Sequence, residues 1–297
     1  MSEPLVADMQ KDAVGDQTGV GLGIALMALA MLLIPVVDAT AKWLSAEHSP
    51  WFLGWVRYAM ASTLVVPIAG WVHGRALFPT RDLVSHGLRT VFLVIAMTLY
   101  FFAIARVPLS TAVTAYFVGP ILSVGFAVIF LGERLTLTKA VSLAMGFGGA
   151  VIVLDPKGQV DLGILLALGS GMFFALYLVA TRKTAQCDPP LKTLAFQCVL
   201  GTALLAPQAA LNWSTPSMSE MLLFVVLGLV SAISHVLAIS AFARAEASIL
   251  APLVYLELIS ALGLGWYVFG EAPAASVWIG GGMIALGGIL LIRARKP

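Results

Sequence analysis

The chain is poor in charge, in cysteine and in histidine, and each shortage closes off a class of function. Asp, Glu, Lys and Arg make up only 11% of the 297 residues. A soluble domain of this length needs far more polar surface, so most of the chain must face lipid or other apolar helices. The two cysteines, Cys187 and Cys198, do not suggest a disulfide, and no His or Cys set has metal-ligand spacing. No Walker-type phosphate loop occurs, so ATP-driven pumping by this chain alone and metal catalysis are not expected. No cofactor, metal or nucleic acid is expected. A cleavable leader is not expected either, because residues 1–18 are polar and net acidic and the first apolar run is long enough to span and stay.

Apolar residues fill the space that charge leaves. They make up 60% of the chain, and the mean hydropathy is +0.98. Ten apolar segments of spanning or near-spanning length can be marked, near 20–43, 50–72, 88–105, 108–131, 136–154, 162–182, 191–211, 219–242, 247–269 and 275–293. The sequence therefore predicts an all-α integral membrane protein of ten transmembrane helices.

The segments repeat. Ala103-Ile104-Ala105-Arg106 returns as Ala241-Phe242-Ala243-Arg244, Ser110 as Ser248, and Gly132-Glu133 as Gly270-Glu271, all at one shift of 138 residues. Earlier matches fall at 140 or 141, as in Ala39-Thr40 with Ala180-Thr181 and Pro50 with Pro190. The expected organisation is a polar cytoplasmic tail (1–18), a five-helix repeat (19–155), a second (156–293) and a short cytoplasmic tail (294–297). Five is odd, so the halves must cross the membrane in opposite directions. An inverted duplication of this kind points to a transporter with its site between the repeats. With both termini placed in the cytoplasm, all but four of the 17 Lys and Arg fall on the cytoplasmic side. Arg106 and Lys157 fall outside, and Lys42 and Arg57 lie within segments.

Two Gly-Glu pairs close the fourth and ninth segments, each followed by a Gly-rich segment. The Ala-x-Ala-Arg-x-x-x-Ser junctions occur at 103–110 and 241–248. On these marks the chain resembles the EamA-type members of the drug/metabolite transporter superfamily over nearly its whole length, and among them the YddG-type bacterial exporters of aromatic and other amino acids. The resemblance implies alternating access through a central cavity in a bacterial inner membrane, with amino acid export as the expected activity. The rival activity in the same class is uptake or exchange of a larger metabolite such as riboflavin or S-adenosylmethionine. An intramembrane enzyme and a channel are the readings from other classes. Ser234 beside His235 points about 100° away from it on a helix and makes a poor nucleophile and base.

Charge inside the hydrocarbon costs roughly 2.5–3.5 kcal/mol per residue on insertion scales, so buried charges mark function. Asp38 and Lys42 share a face of the first segment, and Arg57 lies at similar depth on the second. An Asp38–Arg57 ion pair, shared with Lys42, is expected: either the polar end of a substrate cavity or a structural lock with Lys42 snorkelling outward. Gln197 is the repeat counterpart of Arg57. Glu257, placed near the middle of the ninth segment, and His235 on the eighth are expected to lie level. They would serve proton coupling or recognition of a substrate ammonium, or else fix the helices to each other. The repeat then turns Tyr100 and Tyr116 inward as aromatic walls, with Tyr177 a weaker candidate. Glu133 and Glu271 read as turn and capping residues that could also gate. Pro35, Pro120 and Pro252 are expected kink points, and the Gly runs near 146–149 and 280–288 allow close helix packing. The expected partners are a small-molecule substrate, the lipid bilayer and protons as coupling ion, with the chain a monomer or weak homodimer.

Overall fold

In a computed structural model, the described residues are 3–132, 134–154, 161–184, 188–242, 244, 253 and 256–293. They form eleven α-helices and one 3-10 turn (Gly74–Ala76). The helices are α1 (Glu3–Leu44), α2 (Pro50–His73), α3 (Leu83–Ile104), α4 (Leu109–Tyr116), α5 (Val118–Leu131), α6 (Leu137–Leu154), α7 (Leu162–Thr184), α8 (Pro190–Leu211), α9 (Met218–Phe242), α10 (Leu256–Phe269) and α11 (Ala275–Arg293). Seven stretches are long and apolar enough to cross a membrane, with α4 and α5 counted as one span, Leu109–Phe130. Three shorter apolar helices, Leu137–Val153, Leu256–Phe269 and Ala275–Leu290, accompany them.

Local chemistry sets the helix ends. Ser49 caps α2 by accepting from Trp51 N at 3.3 Å, and Pro50 takes the first helical position, where its missing N–H costs nothing. Asp82 caps α3 by accepting from Ser85 N, and the helix starts at Leu83, five residues before the expected start at 88. Gly132 and Gly270 end α5 and α10 at φ near +66°, a left-handed turn that glycine adopts without a Cβ penalty. The expected fourth segment is broken at Phe117 into α4 and α5. Pro120 explains the break: it has no N–H for the Tyr116 carbonyl four residues earlier, and its ring crowds that carbonyl. α1, by contrast, continues through Pro35, and it begins at Glu3, so helix extends into the polar tail. Pro252 and Glu133 lie outside the described residues.

Four long pairings build the bundle: α3 with α7, α1 with α9, α6 with α11 and α2 with α8. Glycine makes the closest of them possible. A Cβ on Gly149 would sit 2.6 Å from the Gly280 carbonyl oxygen, and a Cβ on Gly280 would sit 2.6 Å from the Gly149 oxygen. Ser142 adds a hydrogen bond from the same seam to the Gly287 carbonyl at 2.7 Å. Gly119 and Gly171 likewise bring α5 against α7. These are contacts that small residues permit between membrane helices. The outer surface is apolar, and exposed Trp43, Trp71, Trp213, Trp266 and Tyr267 lie at or just beyond helix ends, where aromatic side chains favour a membrane–water interface.

Candidate functional site

A cavity of about 600 Å³ lies inside the bundle, with lining residues from all eleven helices. α1 contributes Met27, Met31 and Asp38; α2 contributes Arg57; α3 contributes Met97 and Tyr100. Tyr116, Phe174, Tyr177, Gln197, Ser231, His235 and Glu257 complete the polar and aromatic lining. At one end the cavity reaches Thr136, just before α6, and Lys139 in the first turn of α6. The structure thus brings the sequence-predicted Asp38, Arg57, Tyr100, Tyr116, Tyr177, Gln197, His235 and Glu257 onto one cavity wall. Pro120 lines it as well.

The pairings differ from those expected. Asp38 and Arg57 are not joined within 4.0 Å. Asp38, 3% exposed, accepts a hydrogen bond from the Tyr100 hydroxyl at 3.1 Å. Arg57 reaches across to α9 and α3: its Nε donates to Ser231 Oγ at 2.9 Å and its Nη1 contacts Met97 Sδ at 2.9 Å, with the Phe101 ring beneath the guanidinium. Its long stem takes the guanidinium to Ser231 and Met97, a reach that depth along the helices alone does not reveal. His235 likewise has no bond to Glu257. Its Nδ1 meets the Ser231 carbonyl at 2.8 Å, the backbone oxygen one turn earlier. Glu257 lies in the first turn of the described α10 and is 7% exposed. It has no hydrogen-bond or ion-pair partner among the described residues. Three ionisable groups therefore face one cavity with no ion pair between them within 4.0 Å among the described residues.

The aromatic residues form a continuous shelf. Tyr100 and Tyr116 lie 5.3 Å apart between ring centroids, Tyr116 and Phe174 4.9 Å, and Phe174 and Tyr177 5.6 Å, the last pair stacked. Such a run offers flat faces to a planar ligand and to cations.

Lys42 and Glu271 lie elsewhere. Lys42 does not snorkel away from the protein. Its Nζ lies 2.9 Å from Glu271 Oε1 and donates to the carbonyls of Ile104 (3.1 Å) and Val107 (2.7 Å), at the end of α3. Glu271 Oε2 accepts from Leu109 N, the start of α4, at 2.9 Å. A second clasp is built nearby from the α1–α2 and α8–α9 loops: His48 contacts Ser214 through Nδ1 and lies 3.1 Å from Glu220 Oε1 through Nε2. Phe52, Trp213 and Phe224 pack around this histidine and its neighbours. The Lys42 clasp ties α1, α3, α4 and α10 together.

Sequence reasoning missed Arg89, which it placed on the cytoplasmic flank. Because α3 starts at Leu83, Arg89 falls inside the helix and is 5% exposed. Its Nη2 donates to Gln197 Oε1 at 2.6 Å and to the Tyr177 hydroxyl at 3.4 Å. The Asp82 cap was the signal that could have moved the helix start.

An apolar helical bundle with a central cavity, lined by unpaired charges and an aromatic shelf, is the architecture of a membrane transporter of small molecules. The chain belongs to the EamA-like transporter family, whose model matches it twice, over residues 21–155 and 161–293. It is 25% identical to the S-adenosylmethionine uptake transporter of Rickettsia bellii, over 93% of this chain and 94% of that protein. It is 26% identical to the riboflavin transporter of Vibrio cholerae, over 89% and 90%. It is also 26% identical to the pseudopaline exporter CntI of Pseudomonas aeruginosa, over 92% and 97%. A protein of known crystal structure shares the fold, with a TM-score of 0.64 at 23% identity over 93% of this chain and 99% of that one. These named relatives carry metabolites other than the amino acids that the resemblance to YddG-type exporters implied.

Proposed function

We propose that the protein is a secondary transporter of a zwitterionic metabolite that joins an amino-acid head group to an aromatic ring system, with S-adenosylmethionine the leading candidate. The unpaired triad of Asp38, Arg57 and Glu257 beside the Tyr100–Tyr116–Phe174–Tyr177 shelf carries this reading. S-adenosylmethionine has an ammonium, a sulfonium and a carboxylate, the charge complement of two carboxylates and one guanidinium. Its adenine matches the shelf, and the sites of ligands this large commonly measure roughly 300–1,000 Å³. Riboflavin carries no cation and leaves Asp38 and Glu257 without counterparts. Free amino acids are the second reading, because an ammonium and a carboxylate alone also suit the triad, and their export is the activity the sequence resemblance implied.

Alternating access follows from the inverted repeat. Under the shift of 138 residues, the Gly149–Gly280 contact becomes Gly287–Ser142, which is also a contact. The α3–α7 and α1–α9 pairings exchange in the same way. With the termini in the cytoplasm of a bacterial inner membrane, the Lys42 and His48 clasps lie on the outer side, and the cavity reaches Thr136 and Lys139 on the inner side. This is the cytoplasm-facing state, and the gradients of substrate and of protons set the direction of net flow.

The test is counterflow in proteoliposomes loaded with S-adenosylmethionine, with aromatic amino acids and riboflavin as competitors. Saturable exchange blocked by S-adenosylmethionine, and weakened in Asp38→Asn and Glu257→Gln, is the expected result. Exchange of riboflavin with none of any zwitterion, by folded protein, would overturn it.

A further inference from the structure

We propose that Arg89 is a second binding station for the carboxylate of the substrate, taking the anion between Arg57 and the cytoplasmic mouth of the cavity. The proposal rests on the zwitterion reading above and goes beyond the triad that carries it.

Tyr100, Met97, Leu93 and Arg89 recur at spacings of three and four, so they form one stripe along α3. The first three line the cavity, and Arg89 is the next turn of the same stripe. Its two side-chain partners, Gln197 and Tyr177, are themselves cavity residues, and the guanidinium lies over the Tyr177 ring at 5.1 Å. The Arg89 Nε is buried without a hydrogen-bond partner. No carboxylate lies within 4.0 Å of the guanidinium among the described residues. The same is true of Arg57, which is held by a hydroxyl and a thioether instead.

A buried cation without a counter-ion is expensive, and a guanidinium is the side chain best shaped to take a carboxylate in a two-point grip. Met97, which touches Arg57, and Arg89 are eight residues apart on α3, or about 12 Å at about 1.5 Å per residue. The path therefore holds two guanidiniums met by α3 at different depths, neither with a carboxylate within 4.0 Å among the described residues. A carboxylate leaving Arg57 toward the inner mouth would otherwise cross the apolar wall of Leu93 and Leu194 with no partner. Arg89 supplies the partner, and the Tyr177 hydroxyl and the Gln197 amide stand beside it to complete the grip. Tyr177, stacked on Phe174 at the end of the shelf, then meets both the ring and the head group of a passing substrate.

The experiment compares S-adenosylmethionine with its decarboxylated form, which keeps both cations and the adenine but lacks the carboxylate. In Arg89→Gln, counterflow of S-adenosylmethionine should slow about tenfold or more, the usual size of a lost charge-assisted hydrogen bond. The decarboxylated probe should be carried at the wild-type rate, and Arg89→Lys should restore part of the loss. Equal slowing of both probes would overturn the proposal, because a residue that only ties α3 to α8 does not sense the carboxylate. If Arg89→Gln does not fold, Tyr177→Phe and Arg89→Lys carry the same comparison. A wild type that carries neither probe would strike the substrate reading instead. Phenylalanine against phenethylamine would then decide the role of Arg89, and with neither pair carried the station falls with that reading.

Discussion

The Lys42 ammonium and the Glu271 carboxylate meet at 2.9 Å, and each also holds the backbone between α3 and α4. Lys42 takes the last carbonyl of α3 and the Val107 carbonyl of the following turn, and Glu271 takes the first N–H of α4, so one ion pair satisfies both sides of a helix junction. The sequence repeats the two residue types, since a shift of 141 takes Lys42 to Lys183 and one of 138 takes Glu271 to Glu133. On the proposed topology this contact ties α1 to α10 across the outer end, and it must part when that end opens.

Weakening this clasp should therefore favour the outward-open state. Cys198 is a buried free thiol on the cavity wall and serves as a native reporter once Cys187 is replaced by Ser. Glu271→Leu removes the charge and the acceptor of Leu109 N together, whereas Glu271→Gln keeps an acceptor. A hydrogen bond to a charged group is worth about 1.5–3 kcal/mol, so labelling by a membrane-impermeant maleimide from the outer side should rise about tenfold in Glu271→Leu and less in Glu271→Gln. Unchanged labelling in both would show that the clasp does not control opening.

Tyr100 should tune the ammonium site through Asp38. Tyr100→Phe keeps the ring against Tyr116 but removes the hydroxyl that fixes the Asp38 carboxylate at 3.1 Å. Binding of S-adenosylmethionine should weaken by about tenfold or more, since a hydrogen bond to a charged group is worth about 1.5–3 kcal/mol, and heat stability should fall by less. Isothermal titration in detergent measures the first and a thermal melt the second. Unaltered affinity would remove Asp38 from the ammonium site.

Which residues face the cavity was legible in the sequence, because helical phase and the cost of burying charge are properties of single segments. Asp38, Arg57 and Glu257 are costly in an apolar run wherever they point, and the repeat fixed the phase of Tyr100 and Tyr116 from that of Glu257 and His235. Partners were not legible, because they depend on side-chain reach between segments distant in sequence. Arg57 has a stem long enough to reach Ser231 and Met97, and Lys42 finds Glu271 only because the Gly270 turn delivers it there. Arg89 was hidden by a boundary drawn from hydropathy. Its polar neighbours, His86 and Asp82, lower the average, although the helix includes the first and is capped by the second.

The α6–α11 seam makes a prediction about stability that separates close packing from glycine content. Gly280 and Gly282 both lie on α11, yet a Cβ on Gly280 would meet the Gly149 oxygen at 2.6 Å, while one on Gly282 meets nothing within 4 Å. Gly280→Ala should destabilise by about 1–3 kcal/mol, because the clash is with backbone that cannot rotate aside. Gly282→Ala should be neutral or stabilising by up to about 1 kcal/mol, from the better helix propensity of Ala. Size-exclusion recovery after heating in detergent distinguishes them. Equal behaviour of the two variants would mean that α6 and α11 do not pack at this seam.

Glu257 supports a sharper prediction about coupling than about affinity. Among the described residues it is a buried carboxylate without a partner, and it faces the same cavity as Arg57 and Asp38. A carboxylate free of a fixed cation can exchange a proton as the cavity turns from one side to the other, whereas one locked in an ion pair cannot do so without breaking it. Glu257→Gln keeps the shape and removes the proton site. Counterflow, which needs no net proton movement, should weaken by about tenfold for one lost contact to the substrate but remain measurable. Uphill accumulation driven by an imposed pH gradient should vanish. The two assays run on the same vesicles, so poor folding would depress both. Loss of counterflow with gradient-driven accumulation intact would be inconsistent with Glu257 as the coupling group, and undiminished accumulation would remove protons at this residue from the mechanism.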